Sequence, residues 1–326
     1  MKTYEYQSVD LDVWKIVYQE FLSTEQINKL GFVTTPDQIV ELILDLVGYD
    51  QNRMGLCNET ILDPACGSGT FLVEALLRLL KHLEKNMPCH KHKPGTPKWE
   101  EEKTVLETVT KNIHGVDIHP FATFLTTLNL TFLTIDLYAN VAQHYPGFGL
   151  EQDIATHDAL SDKPTIQAPS PPYTNARFQE KMQRTKHFAD LLDQKFNFVV
   201  GNPPWGAVLK GVMGPLGEAA SRDEYKKRYE SATGKYDIFV LFMERGIKWL
   251  KQKGKLGMIT QVSWVSQGFG KGIKNIMKHE GTPRIFVDMQ EVGGIIFPDW
   301  TNYPAITILE RGNTSNLLQQ VYVSKS

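Results

Sequence analysis

Thr60-Ile61-Leu62-Asp63-Pro64-Ala65-Cys66-Gly67-Ser68-Gly69-Thr70-Phe71 is the stretch that decides the fold. A short apolar run ends in an acid, two closely spaced glycines follow, and apolar residues then recur at helical spacing from Phe71 to about Leu83. The pattern predicts a strand, a tight turn and a helix, the start of a βαβ unit. The glycines let backbone come close to a ligand, and the helix offers its free N-terminal amides. A dinucleotide fingerprint needs a third glycine where Leu72 stands, and no Gly-Lys-Ser/Thr follows as a phosphate loop requires. An acid at the strand end repels pyrophosphate and attracts an amine or a sulfonium. The loop therefore predicts a site for a zwitterionic ligand that bears a nucleoside.

Strands and helices alternate outward from this unit. Ile113–Asp117 reads as a strand and Pro120–Leu133 as a helix, and Asp153–Leu160 reads as a strand end or loop. Phe196–Val200 is a strand of the fully buried kind, Asp237–Lys251 an amphipathic helix, Gly257–Thr260 a strand and Gly272–His279 a helix. Arg284–Met289 and Ala305–Glu310 follow as strands with too little chain between them for a crossover helix, which predicts an antiparallel hairpin at one sheet edge. Upstream, residues 9–31 carry an apolar stripe at Trp14, Val17, Tyr18 and Phe21. A second helix follows, for which Thr35 reads as the N-cap, Pro36 as the first helical residue and Gln38 as the far side of a capping box. Residues 85–103 and 161–190 are rich in proline and polar side chains and read as surface excursions. The whole predicts an α/β fold with a mostly parallel sheet covered by helices on both faces.

In such a sheet, ligands bind beyond the carboxyl ends of the strands. Three more loops at such ends carry unusual residues. Asp117 ends a strand, where an acid accepts hydrogen bonds from ribose hydroxyls, and Ile118 beside it offers an apolar face to a purine. Asp158, next to Ala159, is an acceptor for an exocyclic amine. Asn202-Pro203-Pro204-Trp205 follows the buried strand directly. Two prolines stiffen the backbone and remove two donors, so the Asn202 amide oxygen and the Pro203 carbonyl are both acceptors for one NH₂ group, and Trp205 stacks on a planar ring. That set suits an aromatic or amide amine.

Composition narrows the classes. The chain has 326 residues, 41% hydrophobic and 22% charged, which excludes global disorder. Its apolar runs fall short of a spanning helix and its start lacks the apolar stretch of a signal peptide, so the chain is expected in the cytoplasm, with no membrane partner. Three cysteines form no CxxC pair, and no metal is expected. The net charge of −2 hides an asymmetry, because the part from Gly201 onward is net basic and the part before it net acidic. A basic portion suits a polyanion.

Together these residues resemble the S-adenosylmethionine-dependent N6-adenine methyltransferases of DNA. Asp63–Gly69 is similar to that family's cofactor loop, and Asn202–Trp205 to its catalytic tetrapeptide. Gly31–Pro36 is similar to the segment that contacts the methionine end of the cofactor. This order resembles the γ arrangement of modification subunits and fused restriction–modification enzymes. The resemblance implies a Rossmann-like sheet of seven strands with one antiparallel edge strand. It implies S-adenosylmethionine held by Thr35, Pro36, Asp63, Ala65, Cys66, Gly67, Gly69, Asp117, Ile118, Asp158 and Ala159. It also implies catalysis by Asn202, Pro203, Pro204 and Trp205 on an adenine extruded from DNA, with Phe297 or Trp300 as a second aromatic on the base. Residues 1–50 are expected as an N-terminal helical segment, 51–312 as the catalytic domain and 313–326 as a tail. Since no recognition domain is evident, a separate target-recognition subunit or domain is an expected partner. Two alternatives share these loops: a methyltransferase of RNA or of a protein glutamine amide, and an inactive cofactor-binding partner subunit. The glutamine enzymes usually carry Tyr where Trp205 stands.

Overall fold

The computed structural model describes residues 35–85, 97–162, 189–205, 222–297, 303–312 and 318–324, and the backbone of two short strand segments at 213–214 and 217–218. The stripe at 9–31, Gly31–Thr34, most of 161–190, residues 206–212 and Trp300 lie outside the described residues.

Eight strands form one sheet: β1 (Ile61–Asp63), β2 (Ile113–Asp117), β3 (Asp153–Thr156), β4 (Phe196–Gly201), β5 (Leu250–Gln261), β6 (Gly281–Asp288), β7 (Pro304–Arg311) and β8 (Gln319–Tyr322). Their order is β8-β6-β7-β5-β4-β1-β2-β3. Only β7 runs antiparallel to its neighbours, β5 and β6. The expected hairpin is thus present, and its second strand lies inside the sheet. Two details differ from the expectation of seven strands and a C-terminal tail. Residues 319–322 form an eighth strand, parallel to β6, because β6 presents an open edge on which Gln319 pairs with Ile285. The antiparallel strand is not outermost, because β6 and β8 lie beyond it.

Helices cover both faces: α1 (Asp37–Val47), α2 (Thr70–Lys85), α3 (Lys98–Asn112), α4 (Pro120–His144), α5 (Arg222–Arg228), α6 (Phe239–Trp249) and α7 (Lys271–Glu280). Two glycines set how closely they approach. A Cβ on Gly257 of β5 would lie 2.6 Å from Val47 Cγ1 of α1, and a Cβ on Gly246 of α6 would lie 2.6 Å from Leu256 Cδ1 of β5. Because Leu256 and Gly257 point to opposite faces, α1 and α6 clamp β5 from the two sides. The core runs through both layers. Phe196, Phe198, Tyr49, Tyr236, Phe239 and Trp249 are among its largest fully buried side chains, and Tyr49 meets Phe198 edge-on at 5.3 Å. Each such side chain contributes roughly 1.5–3 kcal/mol of transfer free energy.

Helix α3 occupies part of the stretch read as a surface excursion, and α4 extends to His144 rather than Leu133. By length and composition α4 passes for a membrane-spanning helix. Here it packs through Ala122, Leu125 and Leu130, and turns Thr126 and Asn129 toward the glycine loop.

Candidate functional site

The parallel strands β3, β2, β1 and β4 end on one rim of the sheet. Their order brings Asp158, Asp117, Asp63 and Asn202 to that rim in a row, spaced by about one strand each, ~4.8 Å. The chain crosses from β1–β3 to β4–β5 between β1 and β4. That is the switch point where open α/β sheets bind ligands.

The glycine loop turns between β1 and α2. The backbone N–H of Ala65 donates to Asp63 Oδ1 at 3.0 Å, and that of Gly69 donates to the Cys66 carbonyl at 2.7 Å. Gly67 and Gly69 have φ of 54° and 92°, the left-handed region glycine favours. A Cβ on Gly69 would lie 2.9 Å from Thr126 Cγ2, so only glycine fits there, whereas a Cβ on Gly67 would point into open space. The loop is held from below by α4: Thr126 Oγ1 donates to the Gly67 carbonyl at 2.8 Å and Asn129 Nδ2 to the Ser68 carbonyl at 3.0 Å. The sequence reading missed both residues. Their signal was a polar row, Thr123, Thr126 and Asn129, at three-residue spacing in the first half of the helix.

Asp117 ties the second loop to the first. Its Oδ2 accepts the Gly67 N–H at 2.9 Å and its Oδ1 the His119 N–H at 2.8 Å. A carboxylate has about four acceptor sites, so capacity remains for ligand hydroxyls. Ile118 beside it is half-buried. Asp158 Oδ1 accepts the Leu160 N–H at 2.9 Å, and its Oδ2 faces the Tyr225 hydroxyl at 3.4 Å. Tyr225, on α5, was also missed by the sequence reading, since it lies in a stretch read only as charged. Ala159 is buried.

Burial dominates the electrostatics of this rim. It pushes Asp63 up to about 8, against the Ala65 hydrogen bond and with help from the Asp117 charge. It pushes Asp117 up to about 6 against its backbone hydrogen bonds, and raises Asp158 as well. The Cys66 thiol is driven well above its usual range, chiefly by burial, which leaves it a packing residue rather than a nucleophile. Two buried acids and a half-buried third, all with raised affinity for protons, stand in a row on this rim.

At the end of β4, Gly201 abuts Asp63: a Cβ there would lie 2.6 Å from Asp63 Oδ1. Asn202 and Pro204 are half-buried, and Pro203 and Trp205 are buried. Trp205 meets Phe297 edge-on at 5.3 Å. Asn202 Nδ2 donates to Thr35 Oγ1 at 3.1 Å. This last contact corrects the expected helix cap. Helix α1 starts at Asp37 with Pro36 as its N-cap and has no side-chain cap, because the Thr35 hydroxyl is turned to the amide of Asn202 instead.

A family model described as the Eco57I restriction-modification methylase matches residues 111–293. The chain belongs to that family. A second model, the RMKL-like methyltransferase domain, matches residues 55–144. The type II methyltransferase M.PaeR7I of Pseudomonas aeruginosa is 28% identical to this Eco57I-family chain over 90% of the chain and 42% of its own length. The adenine-specific methyltransferase PglX of Streptomyces coelicolor is 24% identical over 78% of the chain and 21% of its own length. The chain thus spans less than half the length of these relatives. A putative class I S-adenosylmethionine-dependent methyltransferase from Listeria monocytogenes superposes with a TM-score of 0.56 at 16% identity, covering 98% of this chain and 76% of that one. The fold is therefore that of the S-adenosylmethionine-dependent methyltransferases.

Proposed function

We propose that the chain is the catalytic part of a site-specific DNA methyltransferase that methylates the N6 amine of an adenine flipped out of the duplex, within a restriction–modification system of the cytoplasm. A target-recognition domain or subunit supplies sequence selection. The observation that carries this reading is the junction of β1 and β4. There Gly201 packs on Asp63, which brings Asn202, the next residue, to the strand end where the glycine loop begins. Family membership supports methyl transfer in restriction–modification, and the likeness to PglX supports adenine.

The rim suits S-adenosylmethionine. An open cradle lies over Gly67, and buried acids at consecutive strand ends offset a ligand's positive charge. When bound, the cofactor supplies an electrophilic methyl group on a sulfonium. Asp63, the loop Ala65–Gly69 and the backbone of Thr35 and Pro36 would hold its methionine end, the Thr35 hydroxyl being turned to Asn202. Asp117 would take its ribose hydroxyls, Ile118 one face of its adenine, and Asp158 and Ala159 the amine edge. On this reading the ligand would lie along the row of strand ends, its methionine end toward Asp63 and its adenine toward Asp158, in keeping with the strand order.

The lone pair of an adenine N6 is delocalised into the ring. Asn202 Oδ1 and the Pro203 carbonyl, accepting its two protons, draw the nitrogen toward tetrahedral geometry and localise that pair. Positioning and fixed dipoles do the work, with no covalent intermediate. Base extrusion costs a few kcal/mol, and contact with the aromatic pair Trp205 and Phe297 offsets part of it.

The test uses the purified chain with tritium-labelled S-adenosylmethionine and mixed-sequence duplex DNA or RNA, followed by nucleoside analysis. Label in N6-methyladenine of DNA is expected. Asn202→Ala is expected to abolish transfer while cofactor binding persists. Label in RNA alone, or equal loss of binding and transfer in Asn202→Ala, would overturn the reading.

A further inference from the structure

We infer that Thr35 is a positioning residue for the reaction: its hydroxyl sets the orientation of the Asn202 amide, so that Oδ1 rather than Nδ2 faces the target amine. The inference rests on the role proposed for Asn202.

The backbone of Asn202 is fixed from both sides. Gly201 pairs with Met258 at the end of β4, and its Cα is pressed against Asp63. Pro203 follows and holds the residue before it in extended backbone. The Cα–Cβ bond of Asn202 therefore points in one direction. Its amide plane is not fixed by this, because the last torsion of Asn is broad and roughly two-fold. The two flips have nearly the same shape and opposite chemistry: one offers an acceptor to the target NH₂, the other sets N–H against N–H. A neighbour that accepts from the NH₂ end holds the amide in the first of them.

Thr35 Oγ1, 3.1 Å from Nδ2, is that neighbour. It comes from 167 residues away in the chain and is 5% exposed. By accepting from Nδ2 it satisfies the donor end of the amide and leaves the buried Oδ1 as its acceptor end. The anchor is firm. The Pro36 carbonyl accepts from Ile39 and Val40 at the start of α1. Arg78 of α2 donates to Asp45 Oδ1 at 2.6 Å and to the Glu41 and Tyr49 carbonyls, which fastens α1 to the helix that begins at the glycine loop.

Thr35→Val keeps the shape and removes the acceptor, and Thr35→Ser keeps the acceptor. For methyl transfer to duplex DNA, we expect Thr35→Val to lower kcat about tenfold, the scale of one lost hydrogen bond. The dissociation constant for S-adenosylmethionine, by calorimetry, should stay within about twofold, and Thr35→Ser should recover most of kcat. A kcat for Thr35→Val equal to wild type would overturn the inference. So would a fall matched by lost cofactor affinity, or Thr35→Ser as impaired as Thr35→Val. Asn202→Ala, run beside them, separates the two claims. If it still transfers methyl groups, the proposed catalytic role itself fails. If it is inactive while Thr35→Val is not, only the inference about Thr35 fails.

Discussion

A carboxyl group buried at a strand end is costly as an ion, and Asp63 and Asp117 show the cost as proton affinities raised to about 8 and about 6. The sign matters. An acid whose folded pKa lies above its unfolded value leaves the folded chain holding more protons between roughly pH 4 and pH 8, so stability falls as pH rises through that window. The cofactor-free protein is therefore expected to lose unfolding temperature between pH 5 and pH 8, and Asp63→Asn to lose less of it. Parallel falls in scanning calorimetry would assign the loss to other groups. A cationic ligand favours the ionised carboxylates, so binding of S-adenosylmethionine at pH 7 should expel protons. Calorimetry in buffers of low and high ionisation enthalpy measures this directly, and equal apparent enthalpies would refute it. Asp117→Ala, which removes an acceptor and unties Gly67, should weaken cofactor binding about tenfold or more.

Helix α1 carries Thr35 and Pro36 at its start and is held at its far end by Arg78. Arg78 also pairs with Glu74 at 2.8 Å, and its side chain is 11% exposed. Arg78→Met keeps the apolar stem and removes every one of these donors. It should lower stability by about 2 kcal/mol, since Asp45 is itself well exposed and the Glu41 and Tyr49 carbonyls carry most of the loss. Urea unfolding measures it, and an unchanged midpoint would mean that apolar packing alone holds α1. At this scale the sequence was legible where chemistry and periodicity coincide. The acid at the end of β1, the glycines after it and the Asn-Pro-Pro-Trp after a fully apolar strand each pair a pattern with a demand of the backbone. Helix α3 was hidden because Trp99-Glu100-Glu101-Glu102-Lys103 shows no apolar stripe until Val105 and follows several prolines. Strand β8 was hidden because Gln319-Gln320-Val321-Tyr322 is mostly exposed, so nothing alternates. The cap at Thr35 was misread because a hydroxyl before a helix has two uses, and only tertiary structure brings Asn202 to it.

Sheet order, which no local pattern records, is what brings four separate loops to one rim, with Gly201, beside Asn202, packed on Asp63 across the switch point. The same order divides the molecule by charge. Acids line the rim from Asp63 to Asp158, while the net-basic part of the sequence supplies β5 to β8 and α7, on the other side of Asn202. Under the proposed function, a nucleic acid delivering a base to Asn202 would be drawn to one half of the rim and repelled from the other. Lys271, Lys274 and Lys278 are exposed on α7, and Lys271 opens that helix just after the turns that leave the carboxyl end of β5. If about three phosphates are neutralised, affinity for a short duplex should fall roughly 40-fold between 50 and 200 mM salt. Lys271→Ala should weaken binding equally for unrelated sequences and reduce the salt slope by about one. Fluorescence anisotropy across salt with two unrelated duplexes reads both quantities. A slope near zero, or one unchanged by Lys271→Ala, would move the DNA path away from α7 and toward the acidic side of the rim. There the raised proton affinities of Asp63, Asp117 and Asp158 would oppose a polyanion most strongly at high pH.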